Sequence, residues 1–206
     1  MFDDRLDAAR QLADALKPMQ LERPLVLAIP RGAVPMARCM VDALGGDLDV
    51  VLVRKLGAPG SPEVAVGAVD EGGWLWVAPH AAQMGADAAY LAAEKARQLQ
   101  AIRQRRQRYS PLRPSQPVAG RTVVVVDDGL ATGATMTAAL HSLRQQGPAR
   151  LVCAVPVASA EALALVRPLA DAVVCLLVPE RFQSVGQFYR AFPQVSDEAV
   201  EALLRA

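Results

Sequence analysis

Short, uninterrupted runs of apolar residues recur along the chain, each bounded by glycine, proline or charged residues. Such runs are typical of strands that are buried on both faces, as in a parallel sheet. They predict strands at 25–29, 49–53, 122–126, 151–155 and 172–178. Four consecutive valines make the third of these segments the most strand-like in the chain.

Amphipathic segments separate these runs. One lies at 4–17, where Asp3 or Asp4 can cap the first turn. Further helices are predicted at 34–44, 86–108, 134–146 and 160–167. In the second half of the chain strand and helix alternate, which implies right-handed crossovers between parallel strands. The pattern therefore predicts an α/β fold with an open, mostly parallel sheet and helices on both faces.

Glycine and proline mark the interruptions between these elements. Residues 57–62 read Gly-Ala-Pro-Gly-Ser-Pro and predict a mobile loop. Residues 64–69 and 74–77 flank two adjacent glycines and predict a hairpin. Because Trp74 and Trp76 alternate in this hairpin, both indole rings face one side, and we expect them at a subunit interface.

Composition narrows the functional classes. The chain has 206 residues, of which 52% are apolar and 21% charged, and its formal net charge is +1. This length fits a single domain over 1–206, and near neutrality offers no electrostatic case for nucleic acid or an anionic membrane. No apolar run approaches the ~20 residues of a membrane helix, and the first residues lack the regions of a signal peptide. We therefore expect a cytoplasmic protein.

Isolated reactive side chains carry little information. Cys39, Cys153 and Cys175 lie far apart in apolar stretches, so buried free thiols are expected. His80 and His141 have no acid or nucleophile at a catalytic spacing, which favours structural roles. A basic patch on the long polar helix favours a solvated face, with a nucleic-acid contact as the alternative, and it comprises Arg103, Arg105, Arg106 and Arg108.

The segment that follows the four valines carries the chemistry. Asp127 and Asp128 lie at the carboxyl end of the strand, where ligands bind in open α/β sheets. The backbone N–H groups of 131–135 can point into one hollow at the positive end of the next helix, which favours a phosphate. Because the adjacent carboxylates can accept hydrogen bonds from vicinal hydroxyls, the combination predicts a ribose 5-phosphate site.

This segment resembles the phosphoribosyl pyrophosphate (PRPP) signature of type I phosphoribosyltransferases, an apolar run followed by two acids, two residues and Ala-Thr-Gly-x-Thr. Sequence motifs of P-loop and Rossmann nucleotide-binding proteins are absent. The resemblance implies a type I phosphoribosyltransferase-like fold with a small C-terminal hood and tail at 179–206. It also implies a 5-phosphate site formed by Gly129, Ala131, Thr132, Gly133, Ala134 and Thr135.

The resemblance extends to two segments that would hold pyrophosphate. One follows the first strand and contains Arg31, whose guanidinium can fork to phosphate oxygens, and Gly32, which permits close backbone approach. The other ends the second predicted strand with Arg54 and Lys55. An ordinary turn and a solvated strand end are the alternatives for these two segments.

Two further segments resemble coverings of the family's reaction centre. Residues 56–66 resemble the mobile lid, which excludes water. Residues 178–189 resemble the hood, where Phe182 or Tyr189 could stack on a flat acceptor ring. Packing of these aromatic residues within the tail is the alternative.

The resemblance implies a reaction in which a nitrogenous acceptor displaces pyrophosphate from C1 of PRPP. Asp127 and Asp128 would hold the ribose hydroxyls and reach Mg²⁺ through water, and Lys55 would join them in catalysis. We therefore expect a magnesium-dependent, homodimeric transferase of nucleotide metabolism whose partners are PRPP and a small acceptor, with no nucleic acid or membrane.

The acceptor base is not specified by these motifs. Family members that act on 6-oxopurines carry a carboxylate where this chain has Ala131, so hypoxanthine and guanine are disfavoured. Adenine-type members also carry alanine there. Glu63, Asp70 and Glu71 stay open as candidate bases.

Two other functional classes compete with the enzyme. One is a regulatory module that binds PRPP without turnover, and the other is an interaction protein that retains only the fold. Lys55 and the lid-like loop favour the enzyme. The acid pair argues against a fold-only protein, because adjacent carboxylates at a buried edge are costly unless a ligand uses them. We expect both aspartates and the 131–135 amides to share one hollow; aspartates turned inward and salt-bridged, or amides directed elsewhere, would contradict the ribose 5-phosphate site.

Overall fold

Five parallel strands form the main sheet in the computed structural model, which describes residues 1–205. In chain order the strands are β1 (Leu25–Ala28), β2 (Asp47–Val50), β3 (Val53–Ala58), β4 (Ser61–Asp70), β5 (Leu75–Val77), β6 (Thr122–Val126), β7 (Arg150–Val157) and β8 (Ala172–Leu177). The helices are α1 (Arg5–Leu16), α2 (Ala33–Leu44), α3 (Ala88–Tyr109), α4 (Ala134–Arg144), α5 (Ala160–Val166) and α6 (Asp197–Arg205). The main sheet has the order β2-β1-β6-β7-β8.

The central strand β6 explains why both faces of this sheet are covered. Its side chains point alternately to opposite faces. Val124 and Val126 lie in the core that contains Leu12 of α1 and residues of α2 and α6, whereas Val123 and Val125 lie in the core that contains residues of α4 and α5. This arrangement confirms the predicted parallel sheet between two helical layers.

Local signals set the ends of the helices. Asp4 caps α1 by accepting a 2.8 Å hydrogen bond from the Asp7 N–H. Helix α2 ends at Gly45, whose φ of 72° lies in the left-handed region that favours glycine. Ser159 caps α5 through the Ala162 N–H. These bounds agree with the sequence prediction to within about two residues.

The predicted strand at 49–53 is wrong, because the chain changes sheets within it. Strand β2 ends at Val50 in the main sheet, and β3 begins at Val53 in a separate antiparallel sheet. The intervening Val51 and Leu52 are as buried as their neighbours. An uninterrupted apolar run therefore conceals the point at which the strand leaves the sheet.

The predicted irregular loop at 57–62 is wrong, and the segment 56–66 that resembles a lid lies in a β-hairpin. β3 and β4 form a hairpin that turns at Gly60, whose φ is +70°. The register shifts around Gly57, which accommodates the glycine and proline residues in the paired strands. The second hairpin is confirmed, since β4 pairs with β5 and Val69 lies opposite Leu75.

The tryptophans of this second hairpin pack within the chain. Trp74 stacks on His141 of α4 with ring centroids 3.6 Å apart and an angle of 9° between the rings. Trp74 and Trp76 pack against the same core, which confirms that they share a face. Their main contact is therefore the docking of the antiparallel sheet onto α4, and the expected subunit interface gains no support from them.

Two simpler expectations concern thiols and membranes. All three cysteines are free, but only Cys153 is buried, and Cys39 and Cys175 are half-buried. None of the helices within residues 1–205 combines the length and the apolar character needed to cross a bilayer.

Candidate functional site

A hollow of about 350 Å³ opens at the carboxyl end of β6. Its floor is the loop between β6 and α4, and β3 and β4 contribute its opposite wall. The residues that line it are Lys55, Glu63, Ala65, Asp128, Gly129, Leu130, Ala131, Thr132, Gly133, Ala134, Thr135 and Val185. The sequence-predicted phosphate loop therefore lines a single cavity, as expected from the position of ligand sites in α/β sheets.

The loop presents unpaired backbone donors to this hollow. Within residues 1–205, the N–H groups of Ala131, Thr132, Gly133 and Thr135 donate to no protein acceptor, and the first such bond of α4 runs from Thr137 to Gly133. Gly133 begins the helix with a φ of +75°. Free amides at the positive end of a helix form a site for an anion.

Two anchors hold the loop in this conformation. The Leu130 N–H donates to the Val157 carbonyl at 2.9 Å, and the Ser159 N–H donates to the Leu130 carbonyl at 3.0 Å, which extends the main sheet into the loop. The Ser159 hydroxyl donates to the Ala131 carbonyl at 2.8 Å. The carbonyl groups are thus used in packing, which leaves the N–H side of the loop for a ligand.

The two aspartates occupy different environments. Asp128 lines the hollow, but Asp127 does not. Oδ1 of Asp127 accepts the Asp128 N–H at 2.8 Å, so this carboxylate orders the turn. The two-acid clamp expected from the sequence therefore gains no support from Asp127, because adjacent residues at a strand end point in different directions. Of the two acids, Asp128 is the one that lines the hollow.

Burial governs the ionisation of both acids. Burial first, and then the charge of Asp128, raises the pKa of Asp127 well above its ordinary value. Burial also raises the pKa of Asp128, while the neighbouring Arg5 guanidinium opposes that rise. Strongly perturbed carboxyl groups at the mouth of a cavity mark a candidate functional site.

Arg5 is a residue of the site that sequence reasoning missed. Its Nε and Nη2 both lie 2.9 Å from Oδ2 of Asp128, and its Nη1 donates to the Pro193 carbonyl at 2.6 Å. The guanidinium also stacks 3.7 Å from the centroid of the Phe192 ring. Hydrogen bonds and ion pairs within residues 1–205 engage only Oδ2 of Asp128, which leaves Oδ1 for a ligand.

The C-terminal hood closes against the same aspartate. The Tyr189 hydroxyl donates to the Asp128 carbonyl at 2.6 Å, and its ring packs on Phe2 and Phe192. Phe182 packs against Phe188 at 5.4 Å. These contacts favour the packing alternative for Phe182 and Tyr189 over stacking on an acceptor. Among the residues of the hood, Val185 is the one that lines the hollow.

Of the basic pair of β3, Lys55 lines the hollow and Arg54 does not, and neither residue lies at the carboxyl end of the strand. Lys55 lies inside β3, and its Nζ is 3.0 Å from Oε2 of Glu63 across the hairpin. Both residues also line an adjoining cavity of about 370 Å³, which Arg54 and Thr135 share. The side chain of Lys55 is 42% exposed, so it can exchange Glu63 for a ligand at little cost.

The two residues predicted in the loop after β1, Arg31 and Gly32, contact different parts of the molecule. A Cβ added at Gly32 would lie 2.1 Å from Oδ2 of Asp128, so the glycine permits the aspartate to occupy its position. Arg31 instead turns toward α6, where its Nη1 lies 3.3 Å from Oδ2 of Asp197. The peptide bond between Pro30 and Arg31 is cis. Neither residue lines the hollow itself.

The three candidate bases separate clearly. Glu63 lines the hollow. Asp70 is buried and accepts the Trp74 N–H at 2.9 Å, which stabilises the hairpin turn. Glu71 forms a two-pronged ion pair with Arg106 of α3 at 2.7–2.8 Å. Only Glu63 therefore remains a candidate.

The basic patch of α3 is not a uniformly solvated face. Arg106 is engaged by Glu71, whereas Arg105 and Arg108 lie beside Asp197 of α6. The Arg103 side chain is exposed. The expectation of a solvated face therefore holds for Arg103 and for Arg108, which is exposed although it is ion-paired, whereas Arg105 and Arg106 are half-buried.

The acidic residues of the site could provide only a few oxygen ligands to Mg²⁺. Within residues 1–205 no group of three or more histidine, cysteine, aspartate or glutamate side chains is arranged to hold a metal ion. Mg²⁺ commonly retains several waters and binds proteins through one or two carboxylates together with substrate phosphates. Oδ1 of Asp128 fits that role, whereas Asp127 does not line the hollow and uses its Oδ1 to accept the Asp128 N–H.

Comparisons with known proteins assign this architecture. A family model described as the phosphoribosyl transferase domain matches residues 4–191. Two curated Mycobacterium tuberculosis proteins, each named "putative phosphoribosyl transferase", are 43% identical over 206 residues. The match covers 99% of this chain and 46% of each relative, so the chain spans about half the length of these proteins.

Solved structures share the fold of this chain. The protein TT1426 from Thermus thermophilus is 52% identical, with a TM-score of 0.84 over 100% of this chain and 98% of that protein. A hypothetical protein from Neisseria gonorrhoeae, solved with bound ppGpp, is 14% identical, with a TM-score of 0.57 over 100% of this chain and 97% of that one. The second likeness shows the fold alone.

Proposed function

The chain belongs to the phosphoribosyl transferase family, and from that membership we propose that it transfers ribose 5-phosphate from PRPP to a nitrogenous acceptor and releases pyrophosphate. The proposal treats residues 1–206 as one domain whose segment 179–206 is the hood and tail. It also includes the cytoplasmic location expected from the sequence and the homodimer that the family resemblance implies.

One observation carries the proposal. Residues 131–135, whose backbone N–H groups are largely without protein acceptors, and Asp128, whose Oδ1 accepts no hydrogen bond within residues 1–205, line one hollow. The amides suit a phosphate, and the carboxylate suits the hydroxyls of a sugar. A ribose 5-phosphate carries a phosphate and sugar hydroxyls in one molecule. The arrangement of the hollow therefore supports a ribose 5-phosphate over an isolated phosphate or an isolated sugar as the ligand.

The side chains have distinct proposed roles. Residues 129 and 131–135 hold the 5-phosphate, and Asp128 holds a ribose hydroxyl. Asp127 does not contact the substrate in this proposal but is a positioning residue that orders the Asp128 backbone. Lys55 exchanges Glu63 for the diphosphate, and Arg54 stands beside it in the adjoining cavity.

Pyrophosphate departure develops negative charge, and fixed cations stabilise such charge in a site shielded from water. Lys55, Arg54 and Arg31 supply the cations in this proposal. The β3–β4 hairpin forms a wall of the hollow and reduces the access of water, which would otherwise compete with the acceptor. Gly32 contributes by leaving space for Asp128 rather than by touching the diphosphate.

Mg²⁺ is included in the proposal as an ion that arrives with PRPP. It would be held by the substrate phosphates and reached by Oδ1 of Asp128 through water. The ion supplies charge neutralisation of the leaving diphosphate. We assign Asp127 a positioning role rather than a contact with the metal ion, since its Oδ1 accepts the Asp128 N–H.

The acceptor is constrained by what the hollow contains. Ala131 offers no carboxylate, so Glu63 is the proposed base for the acceptor proton. The Glu63 side chain is 93% exposed and pairs with Lys55, so substrate binding is needed to position it. An acceptor that ionises without strong base assistance suits this site best.

Turnover is tested by mixing the protein with PRPP, Mg²⁺ and single nitrogenous bases and measuring pyrophosphate release. The proposal predicts release that depends on one base and is lost in Lys55→Gln. A matched control is Lys17→Gln, which removes an exposed lysine that follows α1. PRPP binding without release on any base would instead support the regulatory module, which keeps the hollow and performs no transfer.

A further inference from the structure

Four arginines converge on the face between β3, α3 and the start of α6. Arg54, Arg105 and Arg108 line a cavity of about 230 Å³ together with Asp197. Arg31 reaches the same aspartate from the loop after β1. The cluster thus joins elements that are distant in sequence.

A single carboxylate serves most of this cluster. Oδ2 of Asp197 lies 3.3 Å from Nη1 of Arg31 and 3.5 Å from Nη1 of Arg108, and Oδ1 lies 4.0 Å from Nη2 of Arg105. The Tyr109 hydroxyl donates to Oδ1 at 3.2 Å. Four donor groups therefore lie within 4.0 Å of the Asp197 carboxylate, but only those of Arg31 and Tyr109 form hydrogen bonds with it.

The cluster retains uncompensated positive charge. Arg108 also pairs with Glu198 and Glu201. Within residues 1–205, however, Arg31 and Arg105 have only Asp197 as a carboxylate within 4.0 Å, and Arg54 has none. Arg54 donates instead to the neutral Oε1 of Gln98 at 3.0 Å. Arg31 and Arg105 thus share the one carboxylate of Asp197, and Arg54 lies close to the charge of Glu94 without forming an ion pair with it.

The charge surplus has an electrostatic signature. Burial first, and then the charges of Arg105 and Arg31, lowers the pKa of Arg54, and the charge of Glu94 only partly opposes this shift. The Arg54 guanidinium lies among like charges in a partly buried place, where repulsion is less screened than in water. An anion with more than one charge would relieve that repulsion.

We propose that this cluster is a binding site for a di- or triphosphate group and that Asp197 is a resident carboxylate which the phosphate displaces. Guanidinium groups bind phosphate oxygens in pairs, and a diphosphate offers more charge and more acceptor oxygens than a carboxylate. The inference rests on the proposed function in one respect, since Arg31 and Arg54 are assigned there to pyrophosphate. Arg105, Arg108 and Asp197 are additions to it.

Asp197 can leave the cluster without unfolding its helix. It is the first residue of α6, and its side chain is 25% exposed. The helix is held separately by the buried Val200 and Leu204. Exchange of the Asp197 carboxylate for a phosphate therefore requires a local movement at the start of α6.

The phosphate has two possible sources, which share one chemistry. It is either the diphosphate of PRPP itself or a separate polyphosphate that binds beside the substrate. Competition distinguishes them, because PRPP excludes inorganic tripolyphosphate in the first case and binds together with it in the second. Both results support the site.

The test is calorimetric titration of the full chain with inorganic tripolyphosphate. Asp197→Asn removes the competing charge and is expected to tighten binding by about tenfold. Arg105→Gln is expected to weaken it by about fivefold. The matched controls are Arg103→Gln on the exposed face of α3 and Asp14→Asn on α1, both of which should bind as the unmodified protein does.

The proposal is overturned if the unmodified protein and Asp197→Asn bind tripolyphosphate with equal affinity and Arg105→Gln matches Arg103→Gln. Should Asp197→Asn not fold, the comparison of the two arginine variants decides alone. Asp128→Asn separates this result from the proposed function, since it should weaken PRPP binding and leave tripolyphosphate binding unchanged. Failure of PRPP binding in every form contradicts the proposed function without affecting the tripolyphosphate result.

Discussion

The guanidinium of Arg5 lies 2.9 Å from Oδ2 of Asp128, although the two residues are 123 positions apart in the chain. The pair is largely buried, with 11% of the arginine side chain and 17% of the aspartate side chain exposed. Arg5 therefore holds the aspartate that faces the hollow in one orientation and opposes the effect of burial on the pKa of its carboxyl.

Arg5→Gln should make PRPP binding dependent on pH. Without the guanidinium, the pKa of Asp128 rises further, so a larger fraction of the carboxyl is protonated in mild acid. Affinity measured by calorimetry should fall by about tenfold at about pH 6 and by less at about pH 8. Arg10→Gln, an exposed change on the same helix, is the control. An equal effect at both pH values would show that Arg5 has no electrostatic role.

Gly32→Ala should displace Asp128 and weaken PRPP binding by about tenfold or more. The backbone at Gly32 has a φ of −56°, which alanine adopts without strain, so the predicted effect arises only from the added methyl group. That group would lie 2.1 Å from Oδ2 of Asp128. Gly72→Ala, in an exposed turn, provides the control for binding titrations. Unaltered affinity in Gly32→Ala would mean that the aspartate can move without consequence.

Asp127→Asn should alter how stability depends on pH. The native pKa of Asp127 is raised above the ordinary 3.8, so the folded protein keeps a proton that the unfolded chain releases. Its contribution to the free energy of unfolding therefore falls as the pH rises above about 4. The asparagine variant lacks this contribution and can still accept the Asp128 N–H.

Urea unfolding at about pH 5 and about pH 8 checks this prediction. The loss of stability between the two values should be smaller in Asp127→Asn than in the unmodified protein, and Asp14→Asn should behave as the unmodified protein does. Identical losses in all three proteins would place the Asp127 pKa near its ordinary value in the folded state.

Tyr189→Phe should destabilise the hood by about 1–2 kcal/mol. The substitution removes the hydroxyl that donates to the Asp128 carbonyl at 2.6 Å, but keeps the ring packed on Phe2 and Phe192. The free energy of unfolding in urea is the measurement. A change below about 0.3 kcal/mol would indicate that water replaces the lost donor.

The sequence predicted the main sheet well because its signals are local. The apolar run at 122–126 became β6 with the same bounds, and the strand–helix alternation after it placed β7, α5 and β8. A run buried on both faces needs no long-range information to be recognised. The departure of the chain from the sheet after Val50 produced no such signal, since Val51 and Leu52 are apolar and buried as well.

The residues of the candidate site also differ in whether local sequence could predict them. The motif at 127–135 predicted the phosphate loop and its hollow because the chemistry lies within nine consecutive residues. The partners of that motif come from distant segments. Arg5 lies on an amphipathic helix, and Tyr189 lies in the tail, and neither position differs in sequence from an ordinary packing or surface residue. The sequence also does not show where a side chain lies, since two adjacent acids do not reveal that only Asp128 lines the hollow.

The most direct test of the central claim is titration of PRPP and Mg²⁺ into the unmodified protein and Asp128→Asn. This variant removes the charge that faces the hollow and leaves the loop amides in place. The account predicts that the unmodified protein binds PRPP and that Asp128→Asn binds it at least about tenfold more weakly, with Asp14→Asn unchanged. Equal affinity in Asp128→Asn and the unmodified protein would contradict the ribose 5-phosphate site.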